Sequence, residues 1–215
     1  MTAAIFDCDG TLVDSEPLAR RAWERALAPF GYAPTDGDFD ACVGLPYART
    51  HEYFAARVDL PSAAEVWTAY SGALYELLDR ELVVFEDAVA AVMDLRAEGV
   101  PVAVASSSRR ERLDRTLARA RLDGMFEVTV AGDEIARGKP APDMFLAAAA
   151  RLGVDPADCV AVEDSPPGVA AALAAGMVTI AVCRVPGTEA TLAGAHRVLE
   201  TVTADAILDA APAWT

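Results

Sequence analysis

The segment Ala3-Ala4-Ile5-Phe6-Asp7-Cys8-Asp9-Gly10-Thr11-Leu12-Val13-Asp14 decides how this chain folds. Its first four residues form a short apolar run, which predicts a buried strand. Two carboxylates, Asp7 and Asp9, follow at once. Ligands of open α/β sheets bind just beyond the carboxyl ends of such strands. We therefore expect Asp7 and Asp9 to lie where a substrate binds. Because close carboxylates repel each other, one of them should need a proton or a cation.

Two patterns of apolar residues divide the rest of the chain. Apolar residues recur at helical spacing through residues 15–82, and Ser62 with Glu65 forms a capping box inside this block. After it, short apolar strands alternate with helices, and Ser108 with Glu111 forms a second capping box. Strands are predicted at 102–105, 128–131, 159–162, 178–182 and 197–199. The alternation predicts an α/β fold with a mainly parallel sheet and helices on both faces.

Composition limits the partners of the chain. Its 215 residues, 53% of them hydrophobic, suit one core domain with a modest insert. A net charge of −15 argues against nucleic acid and anionic membranes as partners. No stretch is long enough to span a bilayer, and the first residues lack the features of a signal peptide, so we expect a cytoplasmic protein. Lys139 is the single lysine among 18 basic residues, which suggests a need for a compact point charge there.

Four polar segments lie at predicted strand ends or in adjoining loops. They are Asp7-x-Asp9, Ser106-Ser107-Ser108, Gly138-Lys139-Pro140 and Glu163-Asp164-Ser165. Each alone is also typical of a turn or a helix start. Three of them follow strands directly, and if those strands are neighbours their ends converge. Together these groups fit a site for a divalent cation beside a phosphate. Carboxylate and carbonyl oxygens suit Mg²⁺, and hydroxyls, turn amides and the ammonium suit phosphate oxygens.

These segments resemble the four motifs of the haloacid dehalogenase-like hydrolases. Residues 6–16 resemble the first motif, 104–106 the second, 138–143 the third and 162–168 the fourth. The helical block resembles the cap of that family. The resemblance implies a Rossmann-like parallel sheet with strand order 3-2-1-4-5, built from residues 1–14 and 83–215. Residues 15–82 are then an inserted α-helical cap domain.

The resemblance also implies roles for individual residues. Asp7 is the implied nucleophile, which forms an aspartyl phosphate, and Asp9 is the implied general acid and then base. Ser106, Ser107 and Lys139 are candidate phosphate ligands. Mg²⁺ is the implied cofactor, with Asp7, Asp9 through its carbonyl, Asp164 and, directly or indirectly, Glu163 as the residues that hold it.

Asp9 separates the branches of the family. The dehalogenating branch lacks this second aspartate, and the phosphonate-cleaving branch needs a cap lysine that this chain does not have. Mutases of the β-phosphoglucomutase branch use a cap histidine where this chain has Ala19, and a cap lysine as well. We therefore predict a Mg²⁺-dependent phosphatase, a monomer that acts on a small phosphorylated metabolite such as a sugar phosphate. A phosphomutase and a non-catalytic phosphate-binding protein remain alternatives.

Substrate choice is expected to lie in the cap and in the loop after the second motif. Gly44-Leu45-Pro46 resembles the specificity loop of the family. Arg49, Arg109 and Arg110 are candidate contacts for a distal anionic group, although the arginines of residues 109–119 also fit a solvated helix face. Four aromatic residues of the cap are predicted to form the core of the cap rather than to contact substrate: Trp23, Tyr53, Trp67 and Tyr70. Hinges are predicted at Leu12–Glu16 and Arg80–Glu86.

Overall fold

A computed structural model of the chain describes residues 2–42, 45 and 47–211. Gly44 and Pro46 of the predicted specificity loop lie outside the described residues. The contacts divide the chain into two compact units, Met1–Asp14 with Val83–Thr215 and Ser15–Leu82. We call them the core unit and the insert unit. Within the described ranges, no helix combines the length and apolar character that crossing a membrane requires.

The core unit is built on a six-stranded sheet. The strands of the chain are β1 (Ala3–Phe6), β2 (Val13–Asp14), β3 (Val83–Val84), β4 (Val102–Ser106), β5 (Val128–Ala131), β6 (Cys159–Glu163), β7 (Val178–Val182) and β8 (Arg197–Leu199). The sheet has the order β5-β4-β1-β6-β7-β8, and all neighbours are parallel. Numbered along the chain within this sheet, the order is 3-2-1-4-5-6. The predicted α/β fold and strand order are therefore confirmed, with a sixth strand at one edge.

The middle of the sheet brings three strand ends together. All four residues of β1 are fully buried, as expected for a parallel strand covered on both faces. Phe6 is paired with Val104 of β4 on one side and with Val162 of β6 on the other. The amide of Asp7 still donates to the carbonyl of Val162, at 2.9 Å. The residues that follow β1, β4 and β6 therefore emerge side by side.

Helices cover the sheet and form the insert unit. They are α1 (Glu16–Leu27), α2 (Asp36–Cys42), α3 (Tyr47–Ala55), α4 (Ala63–Glu81), α5 (Glu86–Ala97), α6 (Arg110–Arg119), α7 (Asp143–Leu152), α8 (Pro166–Ala174) and α9 (Ala204–Ala210). Phe145 and Ala148 of α7 pack with Ile5 of β1 in a fully buried cluster. This packing fixes the strands whose ends carry the polar segments.

The insert unit has an aromatic core of its own. Trp23 stacks on Tyr70 with ring centroids 4.6 Å apart and lies 5.1 Å from Phe54. Tyr53 and Trp67 pack against the same cluster, so the prediction that these aromatics form a core is confirmed. The capping box at the start of α4 is also confirmed. The amide of Glu65 donates to Ser62 Oγ at 3.4 Å, and the amide of Ser62 donates to Glu65 Oε2 at 3.1 Å.

The two connections between the units pair with each other. Strands β2 and β3 form a separate antiparallel sheet in which Asp14 is opposite Val83. The sequence did not predict these strands, because two residues are too few to show a periodicity. Arg184 lies beside them: its guanidinium binds both oxygens of Asp87 at 3.0 and 2.9 Å and donates to the carbonyl of Thr11 at 3.1 Å.

The predicted capping box of Ser108 and Glu111 is wrong. Helix α6 begins at Arg110, and its N-cap residue, Arg109, makes no side-chain cap hydrogen bond. The first-turn amide of Arg110 donates instead to Asp133 Oδ1, at 2.8 Å. The Ser108 hydroxyl donates to Asp9 Oδ2, at 2.7 Å. A distant carboxylate therefore replaces the local capping interaction that the spacing predicted.

Candidate active site

Three carboxylates converge at the ends of β1 and β6. Asp7 follows β1, Glu163 is the last residue of β6, and Asp164 comes next. One oxygen from each lies within 4.8 Å of the other two. Asp7 is 6% exposed and Glu163 is completely buried. Carboxylates this deep need a positive partner to stay ionised.

Lys139 supplies a positive charge to this cluster. Its Nζ lies 2.5 Å from Asp7 Oδ1 and 2.6 Å from Glu163 Oε1. It also donates to the carbonyl of Ala105 in β4, at 3.0 Å. An ammonium group has three protons to donate, so all three are directed at protein acceptors. The lone lysine of the sequence thus joins residues from three neighbouring strands.

Glu163 is held at both oxygens. Besides Lys139 at Oε1, its Oε2 accepts hydrogen bonds from the amide of Asp164 at 2.9 Å and from the amide and hydroxyl of Ser165 at 3.0 and 2.9 Å. The carboxylate is packed against Gly168 at the start of α8, where an added Cβ would lie 1.7 Å from Oε1. Glu163 therefore orients the residues around it, and its lone pairs are directed at protein donors.

A glycine brings the β1 loop against Asp164. Gly10 has a φ of +89°, a conformation that favours glycine, and an added Cβ would lie 1.9 Å from Asp164 Oδ2. The hydroxyl of Thr11 donates to Asp164 Oδ1 at 3.3 Å. The Gly-Thr that follows Asp9 in the sequence therefore lets the loop approach and orient this carboxylate.

Burial and mutual repulsion perturb the acids of the cluster. Burial, with a contribution from the charge of Glu163 and against the opposing effect of Lys139, raises the pKa of Asp7 to about 7. Burial and the charges of Glu163 and Asp7 raise the pKa of Asp164 well above its ordinary value. Burial would lower the pKa of Lys139, but the charges of Asp7 and Glu163 raise it above its ordinary value. Three carboxylates share one ammonium, and a divalent cation such as Mg²⁺, which prefers hard oxygen ligands, would favour their ionised forms.

Asp9 points its carboxylate at the segment that follows β4. Its Oδ2 accepts from the Ser108 hydroxyl at 2.7 Å, and its Oδ1 accepts from Arg112 of α6, also at 2.7 Å. Ser106, the last residue of β4, is fully buried, and its hydroxyl accepts from the amide of Ser108 at 3.1 Å. Ser107 is exposed. The structure thus brings Asp9 to the predicted phosphate-binding loop.

The sequence did not single out Arg112, which it grouped with the arginines of a solvated helix face. The spacing gave no distinguishing signal, because Arg110 and Arg112 both lie within one turn of Leu113. In the structure, Thr116, one turn after Arg112, and the adjacent Leu113 are both buried, so Arg112 begins the inward face of α6.

The arginines predicted to bind a distal anion are paired with other acids. In the insert unit, Arg49 binds Glu52 at 2.7 Å, with both side chains more than 60% exposed. In the core unit, Arg109 lies 3.8 Å from Asp133 and is also largely exposed. Arg110 is tied to several partners at the edge of the sheet, namely Glu134, Asp114 and the hydroxyl and carbonyl of Thr129. A role in substrate binding stays a prediction for Arg49 and Arg109, and Arg110 has a structural role at the sheet edge.

Comparison with known proteins decides the family. The sequence profile described as "Hydrolase: haloacid dehalogenase-like hydrolase" matches residues 1–176. The chain is a haloacid dehalogenase-like hydrolase. The family predicted from the four motifs is therefore confirmed, and members of this family use a divalent metal, which is consistent with the acidic cluster of Asp7, Glu163 and Asp164.

Relatives of this haloacid dehalogenase-like hydrolase include named phosphatases. It is 35% identical over 188 residues to a Drosophila melanogaster protein named "Probable pseudouridine-5′-phosphatase", covering 85% of this chain and 81% of that one. It is 36% identical to fructose-1-phosphate phosphatase YqaB of Escherichia coli, covering 80% and 92%. Two other curated relatives are longer proteins, of which the match covers 49% and 18%. These relatives confirm the predicted enzyme class, a phosphoric monoester hydrolase.

A solved structure supports the fold along nearly the whole chain. CbbY from Rhodobacter sphaeroides, determined in complex with phosphate, superposes with a TM-score of 0.83 at 27% identity. The superposition covers 94% of each chain. This haloacid dehalogenase-like hydrolase therefore shares the architecture of a protein whose structure contains phosphate.

Proposed function

We propose that the protein is a Mg²⁺-dependent phosphatase that hydrolyses a small phosphorylated metabolite, such as a sugar phosphate, through an aspartyl phosphate on Asp7. One observation carries the proposal. The buried Asp7 carboxylate, with Lys139 at 2.5 Å, clusters with the buried Glu163 and the half-buried Asp164 at the ends of adjoining strands. The name of the fructose-1-phosphate phosphatase relative supports a sugar phosphate as the first substrate to test.

The residues proposed to hold Mg²⁺ are Asp7, Asp164 and the carbonyl of Asp9. Glu163 accepts four hydrogen bonds from protein donors, so we assign it to supporting Asp164 and Lys139 rather than to direct ligation. When bound, Mg²⁺ supplies positive charge to the phosphoryl oxygens and to the crowded carboxylates.

The reaction proceeds in two displacements at phosphorus. In the first, an oxygen of Asp7 forms a bond to phosphorus while the bond to the alcohol oxygen breaks, and Asp9 gives that oxygen a proton. In the second, a water attacks the aspartyl phosphate, gives a proton to Asp9, and Asp7 leaves as a carboxylate. The sum is an ester and water converted into an alcohol and phosphate, with Asp7 and Asp9 restored.

Lys139 and the loop after β4 act on the incoming phosphate. Lys139 binds Oδ1 of Asp7 and so orients Oδ2 for attack on phosphorus. The positive charge of Lys139 also favours binding of a dianionic phosphate group nearby. Ser106 and Ser107 are the proposed loop ligands of the phosphoryl oxygens. Ser106 is rigidly placed because it is buried and bonded to the amide of Ser108.

Turnover of p-nitrophenyl phosphate with and without Mg²⁺ tests the proposal. We expect release of nitrophenol only with the metal, and loss of at least about 10³-fold in kcat for Asp7→Asn, which removes the nucleophile and keeps the shape. A folded protein that is inactive with Mg²⁺ on this ester and on a panel of phosphate monoesters would instead be a phosphate-binding protein. Retained activity in Asp7→Asn would refute the assignment of the nucleophile.

A second assay separates the phosphatase from a mutase. The protein is incubated with β-glucose 1-phosphate and a glucose bisphosphate primer. We expect release of inorganic phosphate, because Ala19 occupies the position of the cap histidine of the mutases. Glucose 6-phosphate formed without phosphate release would assign a mutase. The monomeric state and cytoplasmic location remain predictions, and light scattering during size exclusion tests the first.

A further inference from the structure

Both carboxylate oxygens of Asp9 accept hydrogen bonds from one segment of the core unit. Arg112 donates to Oδ1 and Ser108 donates to Oδ2, each at 2.7 Å. The side chains of Arg112 and Asp9 are 19% and 27% exposed, so the pair is partly shielded from water. Arg112 and Ser108 are about a hundred residues away from Asp9 in sequence, and only the fold brings them to it.

The helix that carries Arg112 is firmly anchored. The first amide of α6, that of Arg110, donates to Asp133 at 2.8 Å. The Arg110 guanidinium binds Glu134 beside it, with Nε at 2.8 Å. Leu113, next to Arg112, is fully buried. The anchored helix fixes the backbone of Arg112, and its side chain, 19% exposed, has limited room to move, so it can orient Asp9.

The two oxygens of Asp9 face chemically different partners. A guanidinium only donates hydrogen bonds, so Arg112 occupies a lone pair of Oδ1 and favours the unprotonated form of that oxygen. The Ser108 hydroxyl can donate or accept, and it therefore tolerates Oδ2 with or without a proton. The amide of Ser108 bonds to Ser106, so Oδ2 lies on the side of the proposed phosphate-binding loop.

We propose that Arg112 is a positioning residue, which turns Asp9 so that Oδ2 is the oxygen that exchanges the proton. In the first displacement, the proton on Oδ2 passes to the leaving oxygen as its bond to phosphorus breaks. In the second, Oδ2 takes a proton from the attacking water. Arg112 touches neither the ester nor the water and acts only through Asp9. This inference rests on the phosphatase function proposed above.

The leaving group separates this role from a merely structural ion pair. An alkyl alcohol needs a proton as it departs, whereas nitrophenolate leaves readily as an anion. Misplacing the general acid therefore slows transfer from an alkyl phosphate much more than transfer from p-nitrophenyl phosphate. Loss of a structural contact lowers both rates alike. The ratio of kcat/KM for the two esters reports the first transfer alone.

The experiment compares Arg112→Met, Arg112→Lys and the control Arg119→Met, which removes the same charge from the exposed end of α6. Wild type and variants are assayed with Mg²⁺ on p-nitrophenyl phosphate and on fructose 1-phosphate or, if that is not turned over, glycerol 2-phosphate. Circular dichroism and thermal midpoints establish that each variant is folded. If Arg112→Met does not fold, Arg112→Lys carries the comparison.

For Arg112→Met we expect kcat/KM to fall about 10²-fold for the alkyl ester, because general acid catalysis contributes about 10²-fold or more. For the aryl ester, which needs no proton on its leaving group, we expect a fall of less than about 5-fold. Arg112→Lys should recover part of the alkyl rate, and Arg119→Met should leave both rates unchanged. Equal losses on both esters, or a faster alkyl rate, would overturn the role of Arg112 while leaving the phosphatase standing. A folded wild type inactive on every ester would overturn both.

Discussion

Lys139 Nζ lies 2.5 Å from Asp7 Oδ1, and each of the two side chains is less than a tenth exposed. Because Glu163 shares the same ammonium, Lys139→Met leaves two buried carboxylates without their cation. We expect the free energy of unfolding to fall by about 3–5 kcal/mol, measured by urea denaturation at neutral pH. Adding Glu163→Gln should cost less than the sum of the single changes, since both remove parts of one network. Strict additivity would contradict this network.

Gly168→Ala should be destabilising although it lies in a helix. Alanine normally stabilises a helix interior relative to glycine, by about 0.5–1 kcal/mol. At residue 168 the new Cβ would lie 1.7 Å from Glu163 Oε1, so the carboxylate must move and its hydrogen bonds with Lys139 and Ser165 must break or shift. We expect a lower urea midpoint and a loss of phosphatase activity.

Gly72→Ala provides the matched control for that prediction. Gly72 lies in α4 and is exposed, and nothing lies within 4 Å of where its Cβ would be. This variant should gain about 0.5–1 kcal/mol in stability. If both variants became more stable, the close approach at Glu163 would be refuted.

Asp38 should make the insert unit sensitive to acid. Hydrogen bonds from the amide and hydroxyl of Thr35, both at 2.8 Å, and from Tyr53 at 3.0 Å lower the pKa of Asp38 to about 2. Its pKa in the unfolded chain is about 3.9. The folded state therefore gains stability above about pH 4, and loses it as the pH falls through 4 to 2.

Asp38→Asn tests this acid dependence. The variant should be less stable at pH 7, with a flatter stability profile between pH 4 and 2 than wild type. Two of the three tryptophans, Trp23 and Trp67, lie in the insert unit, so tryptophan fluorescence during thermal unfolding, recorded in a Trp214→Phe background, follows that unit. Asp36→Asn, at a side chain 95% exposed, should keep the wild-type profile. An unchanged profile in Asp38→Asn would argue against the lowered pKa.

Mg²⁺ should stabilise the folded protein without substrate. A cation that binds only the folded state stabilises it by an amount that rises with the logarithm of one plus the ratio of its concentration to its dissociation constant, and this raises the thermal midpoint. We expect millimolar Mg²⁺ to raise the midpoint of wild type, and EDTA to reverse the effect. Asp164→Asn should abolish the increase, while Asp123→Asn, at an exposed position, should retain it. A full increase in Asp164→Asn would exclude Asp164 as a ligand.

The sequence was sufficient for the middle of the six-stranded sheet because β1, β4 and β6 are short, apolar runs that end in polar segments. Phe6 and Asp7 illustrate this: the pattern alone predicts a buried strand followed by a charge. The pairing of β1 with β4 and β6, which the structure shows, was implied by the resemblance to the family. Lys139 could be found because it is the only lysine in a chain that otherwise uses arginine.

Contacts between distant segments could not be predicted. Ser108 has the spacing of a capping residue, but the carboxylate of Asp9, 99 positions earlier, takes its hydroxyl. Arg110 and Arg112 lie in the same helix and look equivalent in the sequence. In the structure, Arg112 binds Asp9, whereas Arg110 binds Glu134 at the edge of the sheet. Tertiary contacts decide which partner such a side chain takes. The free-energy differences between local propensities are smaller than the contribution of one buried, charge-assisted hydrogen bond.

The pairing of β2 with β3 makes the 68-residue insert a detachable module, since residues 15–82 begin and end at adjacent points. Asp14 and Val83 face each other in an antiparallel pair, the arrangement from which a tight hairpin starts. A two-residue Asn-Gly turn could therefore replace the whole helical unit without stretching the backbone. Inserts of quite different size could be accepted at the same point during evolution, while the sheet and its carboxylates keep their places.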